Sequence, residues 1–333
     1  MRQPVILITG AAGEIGHGLI ERLSERGSCS IVALDLKPLP DALQRKITRM
    51  ITGSILDQTC LEAILAEYEI DTIYHLAALL STRSEFTPVA AHRVNVEGTL
   101  NLLEFAQSQG SSHGRRVTFL YPSSIAVYGI PTREEKERVG RVREDQWNSP
   151  STMYGCNKLY CEHLGRYYSR HYKQLAAESV GPRVDFRAIR FPGLISAATM
   201  PSGGTSDFAP EMIHRSARAT PYSCFVRPDT RIPFMAMPDA VESLMVLGAA
   251  DGRRLTREVY NISAFNPSAD DFRRLVMKAF PGADISFRTD EKRQAIVDSW
   301  PADVDDDAAR TDWKFSPRYG LDATFEEYLL PAL

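Results

Sequence analysis

The stretch PVILITGAAGEIG, residues 4–16, decides the fold of this chain. VILIT is a short apolar run typical of a buried strand, and a helical pattern follows around residues 14–26. Between them Gly10 permits a tight turn, Gly13 lets the backbone approach a diphosphate, and Gly16 lets the helix pack on the strand. A turn in this context predicts a dinucleotide site. The residues expected to contact the cofactor here are Gly10, Gly13, Glu14, Ile15 and Gly16.

An acidic residue at the end of the next strand selects the dinucleotide. SIVALDL (30–36) predicts that strand, and Asp35 lies near its end, about twenty residues after the glycine turn. A carboxylate there accepts hydrogen bonds from both hydroxyls of the adenosine ribose and repels a 2′-phosphate. The alternative is an aspartate at a helix start that has no ligand. We favour the first explanation, so the expected cofactor is NAD and not NADP.

Strand-like and helical segments alternate along the first half of the chain. Apolar strands interleaved with helices favour a parallel sheet covered on both faces. The expected fold class is α/β, a Rossmann-type doubly wound parallel sheet with a smaller C-terminal α/β substrate lobe. Further strands are predicted at TRMITGSI (48–55), DTIYHLAA (71–78), RRVTFLYPSS (115–124) and VDFRAIRFPG (184–193), with helices near 58–68, 88–109 and 151–174.

The alternation becomes less regular after Gly193. We expect residues 1–193, joined by about 234–264, to form the NAD-binding domain, and about 194–233 and 265–333 to form the substrate-binding lobe. Ser149 or Ser151 is the expected N-cap of the helix at 151–174. The charged run TREEKERVGRVRED (132–145) is expected to be a solvated loop with a helical turn.

Composition excludes several classes of protein. The 333 residues are 44% hydrophobic and 24% charged, with a net charge of −3, so neither nucleic acid nor an anionic membrane is an expected partner. No apolar run approaches the ~20 residues of a membrane span, and no secretory signal precedes the first strand. The five cysteines form no CxxC pair and the seven histidines form no metal motif. We therefore expect free thiols, no metal and a cytoplasmic location.

The stretch SPSTMYGCNKLYCE (149–162) places a tyrosine and a lysine four residues apart. Of the 13 tyrosines, only Tyr154 is followed four places later by a lysine, Lys158. On a helix the two share a face, and an ammonium beside a phenol lowers the pKa of the phenol from about 10 toward the working pH. The pair can then serve as a general base. From the pair alone, two amphipathic side chains on a wet helix face are an equal alternative.

Two more strands end in segments suited to ligands, which bind at the carboxyl ends of strands in open α/β sheets. HLAA (75–78) offers small residues for close approach of a cofactor, while His75 itself is expected to be structural. YPSSIAVYG (121–129) places Ser124 where it can hydrogen-bond a substrate oxygen. Ser123 can serve either the cofactor or the turn.

TGAAGEIG, Asp35, HLAA, SSIAVYG and YGCNK occur in an order that resembles the extended short-chain dehydrogenase/reductases of the NAD-dependent epimerase/dehydratase superfamily, over nearly the whole chain. The resemblance implies a catalytic set of Ser124, Tyr154 and Lys158, which favours the functional explanation of the tyrosine–lysine pair. In TGSIL (52–56), Ser54 replaces an acidic residue that is common near the adenine. The resemblance implies further cofactor contacts from Ser54, Ile55, Leu76, Ala77, Ala78, Asn95, Ser123, Tyr154, Lys158 and Phe191.

The second half is similar to the short-chain type of L-threonine 3-dehydrogenase. This narrower resemblance implies that the loop GGTSDF (203–208) closes on a small-molecule substrate, and Asp207 in that loop could equally cap the helix that follows. The implied substrate contacts are Ser81, Ser124, Tyr154, Gly193, Thr205 and Asp207. The resemblance is carried by RFPGLIS (190–196), PSGGTSDFAPEMI (201–213), CFVRPDTRIPFMAMPDAV (224–241) and DSWPADVDDDAARTDW (298–313).

The expected activity is NAD-dependent oxidation of a secondary alcohol by hydride transfer with a tyrosine general base, and the best guess is L-threonine to 2-amino-3-ketobutyrate. One alternative is a nucleotide-sugar epimerase or dehydratase. A third possibility, a catalytically inactive NAD-binding regulator, would not require Tyr154 and Lys158. The charge available for a sugar diphosphate in the smaller lobe comes from Arg215, Arg218, Arg227 and Arg231.

The resemblance also implies a homodimer, paired through the helix after the fourth strand and the helix that carries Tyr154. Apolar residues on the two helices could face a partner chain or the sheet of their own chain. They are Leu100, Leu103 and Phe105 on the first helix, and Leu159, Leu164, Tyr167 and Tyr168 on the second.

Overall fold

A computed structural model describes residues 3–176, 181–201 and 203–333. Seven strands form one parallel sheet, and three two-stranded parallel pairs accompany it. The strands in chain order are β1 (Val5–Thr9), β2 (Ser30–Asp35), β3 (Arg49–Thr52), β4 (Ile70–His75), β5 (Val117–Ser124), β6 (Arg141–Val142), β7 (Val184–Phe191), β8 (Gly193–Ile195), β9 (Tyr222–Cys224), β10 (Phe234–Ala236), β11 (Val259–Asn261), β12 (Ile285–Phe287) and β13 (Asp303–Val304).

The order of strands in the main sheet is β11-β7-β5-β4-β1-β2-β3. The chain winds outward from β1 through β2 to β3, then returns to place β4 on the other side of β1. The strand order therefore reverses between β1 and β4, which opens a crevice at their carboxyl ends where dinucleotides bind in such sheets. This topology confirms the predicted doubly wound α/β fold.

Helices cover both faces of the sheet and make up much of the chain after β8. Two short 3₁₀ segments (Ile125–Val127 and Gly252–Arg254) and two π-helical segments (Arg93–Glu97 and Thr324–Leu329) complete the helical elements of the described chain. The helices are α1 (Glu14–Arg26), α2 (Asp41–Gln44), α3 (Gln58–Glu67), α4 (Ser81–Phe86), α5 (Pro88–His92), α6 (Gly98–His113), α7 (Arg133–Val139), α8 (Met153–Arg170), α9 (Phe208–Ala217), α10 (Met237–Ala249), α11 (Ala269–Ala279), α12 (Glu291–Asp298), α13 (Asp307–Trp313) and α14 (Leu321–Ala323).

Helix α8 begins later than predicted. Its N-cap is Thr152, whose Oγ1 accepts a hydrogen bond from the backbone N–H of Gly155 at 3.1 Å. The predicted caps were wrong, because the Ser151 hydroxyl instead lies 3.2 Å from the hydroxyl of Ser299. Ser149, Ser151 and Thr152 are all of a type that caps helices. Thr152 is the cap, while Ser151 contacts Ser299, a residue far away in the sequence.

Apolar side chains form one core on each face of the sheet and a third in the second lobe. Helix α10 packs against α1 on the first of these faces, as expected for the segment 237–250. Trp313 and Phe315 also pack into that core, beside Tyr260 of β11. Contacts from the chain's last segments thus reach the first lobe, while the division into two lobes stays a prediction.

The charged run 132–145 is mostly exposed and contains a helix, as predicted, but it also contains a paired strand and a buried lysine, which were not predicted. It forms α7 and β6, and β6 pairs with β13 in parallel. Lys136 is buried and its Nζ donates to the carbonyl of Val297 at 2.9 Å. The Glu144 carboxylate accepts from the backbone N–H of Asn261 at 3.0 Å. Two charged residues of this run, Lys136 and Glu144, therefore bind residues from much later in the chain.

No helix among the described residues is long and apolar enough to cross a membrane. In the same part of the chain, no cluster of histidine, cysteine, aspartate or glutamate is arranged to hold a metal ion. The five cysteines are free thiols, as expected.

Candidate active site

The glycine turn between β1 and α1 leaves room for a diphosphate. Gly10 has φ +69°, and a Cβ placed on it would lie 2.5 Å from the backbone nitrogen of Ala77 at the end of β4. Gly13 caps α1 in an extended conformation, and its N–H donates to the Gly10 carbonyl at 3.1 Å. A Cβ on Gly16 would collide with the carbonyl oxygen of Ala11. Only glycine suits positions 10 and 16, and the turn exposes the amino end of a helix to the crevice.

Asp35 is fixed beside that turn. Its Oδ2 accepts from the backbone N–H of Ala12 at 2.9 Å and its Oδ1 from the backbone N–H of Lys37 at 3.0 Å. Each carboxylate oxygen keeps a free lone pair, so both can still accept from ribose hydroxyls. Nearby, the Ser54 hydroxyl accepts from Leu56 N–H at 3.1 Å, and Ile55 is buried against Gly98. The acceptor oxygens of Asp35, close to the glycine turn, therefore fit the adenosine half of NAD.

The end of β4 is held by buried hydrogen bonds. His75 Nδ1 lies 2.8 Å from Thr9 Oγ1, and His75 Nε2 lies 2.9 Å from Thr99 Oγ1. Burial, together with the charge of Lys158, lowers the pKa of His75 to about 3, so the ring is neutral. His75 is therefore structural, as expected. Asn95 fixes the following segment through both the N–H (2.8 Å) and the carbonyl (3.0 Å) of Leu79, which places Leu76, Ala77 and Ala78 along the crevice.

Ser124 and Tyr154 are brought together by a close approach of α8 to the end of β5. Ser124 caps the 3₁₀ segment Ile125–Val127, and its Oγ accepts from the N–H of Ala126 at 3.1 Å. Gly155 follows Tyr154 and packs so closely on that segment that a Cβ would overlap the Ala126 carbonyl oxygen. Sequence reasoning missed Gly155, although a glycine directly after the tyrosine of YGCNK was a readable signal for close packing.

Lys158 lies under the tyrosine. Its Nζ is 5.5 Å from the centroid of the Tyr154 ring and 4.5 Å from that of the Tyr121 ring, and it donates to the Pro122 carbonyl at 2.6 Å. Burial lowers the pKa of Lys158 to about 8, and the neighbouring Cys161 and Glu162 partly oppose that effect.

The pKa of Tyr154 moves opposite to the expectation from sequence. Burial raises it above the ordinary value of a phenol. Lys158 does not offset this burial, because its ammonium is directed to the Pro122 carbonyl. The spacing of the pair was predicted, but the direction of the pKa shift was not.

A buried ion pair anchors α8, and sequence reasoning missed it. Glu162 lies one turn after Lys158 and is 2% exposed; its carboxylate accepts from Arg190 of β7 at 2.6 and 2.9 Å. The Ser123 hydroxyl donates to the same carboxylate at 2.5 Å. Of its two predicted roles, Ser123 thus has a structural partner, and Glu162 ties α8 to both β5 and β7.

The predicted substrate residues lie around a loop that follows β8. Thr205 is buried in that loop. Asp207 occupies the N-cap position of α9 without a side-chain capping bond, since its carboxylate accepts from the Gly204 N–H at 2.6 Å. Gly193 begins β8, where a Cβ would lie 2.6 Å from the Phe234 ring, and Phe191 is buried in the first-lobe core.

The loop is fastened to the first lobe and to α12. Ser81 begins α4, and its neighbour Thr82 donates to the Gly203 carbonyl at 3.0 Å. Arg293 donates to the Gly204 carbonyl at 2.6 Å from the other side. Glu85, also on α4, accepts from the N–H of Met153 at the start of α8 at 2.6 Å. Helix α4 therefore connects the loop to the helix that carries Tyr154.

Comparison with known proteins finds relatives that match most of the chain. A model of the NAD dependent epimerase/dehydratase family matches residues 6–263. The mitochondrial L-threonine 3-dehydrogenase of Bos taurus is 32% identical over 320 residues, which cover 96% of this chain and 80% of that protein.

Solved structures resemble the chain over its full length. A GalE-like L-threonine dehydrogenase from Cupriavidus necator in its holo form superimposes with a TM-score of 0.85 at 32% identity, covering 98% of this chain and 99% of that one. A monomeric L-threonine 3-dehydrogenase from a metagenome database, in its apo form, gives a TM-score of 0.84 at 33% identity and covers 98% of both chains.

These similarities confirm three predictions made from the sequence. The fold is of the Rossmann type, the cofactor is NAD, and the protein is an NAD-dependent oxidoreductase of the extended short-chain dehydrogenase type. The chain belongs to the NAD dependent epimerase/dehydratase family.

Proposed function

We propose that this enzyme oxidises the C3 hydroxyl of L-threonine to give 2-amino-3-ketobutyrate. The observation that carries the proposal is the full-length similarity to L-threonine dehydrogenases, which includes the loop after β8. The site supports it, because Ser124 ends β5, Gly155 beside Tyr154 packs on the segment that follows Ser124, and Thr82 of α4 holds that loop at Gly203.

The amino end of α1 and the Asp35 carboxylate would hold NAD, which would supply the hydride acceptor for the carbon that bears the substrate hydroxyl. Tyr154 as phenolate takes the hydroxyl proton, and Ser124 orients the hydroxyl oxygen. Lys158 carries the positive charge that favours the phenolate. Burial raises the pKa of Tyr154. In the proposed reaction the positive charge of Lys158 therefore has to lower this pKa when cofactor and substrate are bound.

Substrate contacts are proposed for Ser81, Gly193, Thr205 and Asp207. A small amino acid suits a loop whose backbone is fixed from two sides by Thr82 and Arg293. The nucleotide-sugar alternative is less well supported, because two arginines offered for a diphosphate are already paired. Arg227 contacts Asp298 at 2.9 Å, and Arg231 contacts Asp271 at 3.0 Å.

The substrate is tested by NADH absorbance with L-threonine between pH 7 and pH 10. We expect steady NADH formation with L-threonine and much slower formation with L-serine, which offers a primary alcohol in place of a secondary one. No NADH from L-threonine would overturn the substrate assignment. Purified protein that retains NAD and interconverts a nucleotide sugar without net NADH release would establish the epimerase alternative instead.

We also propose a homodimer formed through α6 and α8. Leu100, Tyr160 and Tyr167 are 38%, 55% and 39% exposed on these helices and offer apolar surface to a second copy. Of the two alternatives given for the apolar residues of these helices, the core of their own chain holds for Leu103, Phe105 and Tyr168. Leu159 and Leu164 also pack against cores of the same chain.

Light scattering at micromolar concentration is expected to give twice the chain mass for the wild type. Tyr160→Asp places a charge in the proposed interface and should shift the mass to that of a monomer. Met277→Asp is the matched control, since Met277 is 40% exposed on α11 in the other lobe. A monomeric wild type, like the monomeric relative described above, would contradict the dimer.

A further inference from the structure

Ser196, directly after β8, stands at the base of the substrate loop with its hydrogen-bonding capacity filled. Its hydroxyl accepts from the N–H groups of Ala198 and Thr199, each at 3.0 Å. The same hydroxyl donates to a carboxylate oxygen of Glu14. A serine hydroxyl has one hydrogen and two lone pairs, so these three partners leave nothing free.

Glu14 is the first residue of α1, immediately after Gly13 in the glycine turn. The cofactor diphosphate is expected at this helix end, where backbone N–H groups point into the crevice. The Glu14 side chain is nevertheless directed to Ser196 and away from the role of cofactor ligand. The backbone of Glu14 therefore lies at the expected cofactor site, and its carboxylate lies at the base of the substrate loop.

The second lobe holds the same short segment. His214 Nε2 lies 2.8 Å from the Ser196 carbonyl oxygen, and His214 is on α9, the helix that follows the loop. The Tyr328 hydroxyl accepts from the N–H of Ala197 at 3.1 Å. Ser196 is 6% exposed, so solvent cannot easily replace a lost partner. A shift of Glu14 is therefore transmitted to the base of the loop and to α9.

We propose that Glu14 and Ser196 form a latch that couples occupancy of the NAD site to the position of the loop containing Thr205 and Asp207. Both are positioning residues, and neither touches the reacting atoms. Because coupling between two sites is reciprocal, substrate in the loop should tighten cofactor binding by the same factor. The identity of that substrate rests on the proposed function, whereas the latch does not.

The first test titrates NADH by fluorescence with and without saturating L-threonine. In the wild type L-threonine should lower the NADH dissociation constant about fivefold or more. Ser196→Ala and Glu14→Ala should reduce this factor to nearly one. Glu14→Gln keeps an acceptor oxygen and Ser196→Thr keeps a hydroxyl, so both should retain most of the coupling. Ser24→Ala removes an exposed hydroxyl elsewhere on α1 and should change nothing.

The second test does not depend on L-threonine. NADH alone should slow hydrogen exchange of the backbone amides in 197–201 and 203–207 of the wild type. The slowing should persist in Ser196→Thr and vanish in Ser196→Ala. Equal slowing in wild type and Ser196→Ala would overturn the latch. If L-threonine fails to bind but the slowing depends on Ser196, the latch stands and only the substrate proposal fails.

Discussion

Replacing Tyr154 by phenylalanine is expected to lower kcat for NAD-dependent oxidation by about a thousandfold, since a positioned general base contributes roughly 10²–10⁴. The substitution removes one oxygen from a ring that packs against the second-lobe core, so the fold and the NAD site should remain intact. Steady-state rates, together with the dissociation constant of NADH, check both parts. The matched control is Tyr160→Phe, which removes the same oxygen from an exposed tyrosine of the same helix and should leave kcat unchanged.

The pH dependence of the rate follows from the same residue. Burial raises the pKa of Tyr154, so the phenolate fraction and the rate should increase with pH. Burial lowers the pKa of Lys158 to about 8, so its charge, present below that pH, fades above it and the increase should flatten. Tyr154→Phe should abolish the rising limb. If Tyr154→Phe kept more than a tenth of the wild-type rate, or the wild-type pH profile, Tyr154 would not be the general base.

Replacing Asp35 by alanine is expected to collapse the preference for NAD. In the wild type, hydrogen bonds from ribose hydroxyls to the Asp35 carboxylate are worth about 1.5–3 kcal/mol each, and a 2′-phosphate would lose them and meet a negative charge. We expect NAD to exceed NADP by about a hundredfold or more in kcat/KM, or ~2.7 kcal/mol. The positive charge of Lys37 would favour the 2′-phosphate of NADP, but the Lys37 side chain is exposed to solvent. Asp35, in contrast, is held in place by two backbone N–H groups.

Asp35→Ala should bring the two cofactors within about tenfold of each other, mainly by weakening NAD. Asp35→Asn separates charge from shape, because it keeps a similar side chain and loses the negative charge. It should therefore gain activity with NADP while it retains part of its use of NAD. Initial rates with both cofactors at matched substrate concentration measure the ratio. Equal use of NAD and NADP by the wild type would refute the role given to Asp35.

The part of the fold that could be predicted is the part encoded by neighbouring residues. β1, the glycine turn and α1 follow one another within 22 residues, and each has a local signal of apolar run, glycine spacing or helical period. The pair of Tyr154 and Lys158 was readable for the same reason, because helical geometry alone places them on one face. Local patterns also placed α3.

The rest depends on contacts between residues distant in the chain. Glu162 and Arg190 are both charged and would be assigned to the surface by composition, yet folding pairs them in the core. The pKa of Tyr154 depends on burial that sequence spacing does not report. The same holds for Leu103 and Phe105, since the face of α6 that meets the sheet is set by packing.

The pairing of β6 with β13 has a consequence for how this protein is made. Arg141 of β6 contacts residues more than 160 positions later, so the segment leaves the ribosome long before its partner exists. During that interval Lys136 lacks its partner, the Val297 carbonyl, and Glu144 lacks the N–H of Asn261 until that residue is made. Strand β7 likewise lacks its neighbour β11. The contacts of β6 can therefore form only after residues 304–306 have been synthesised, and the segment exposes unpaired polar groups until then.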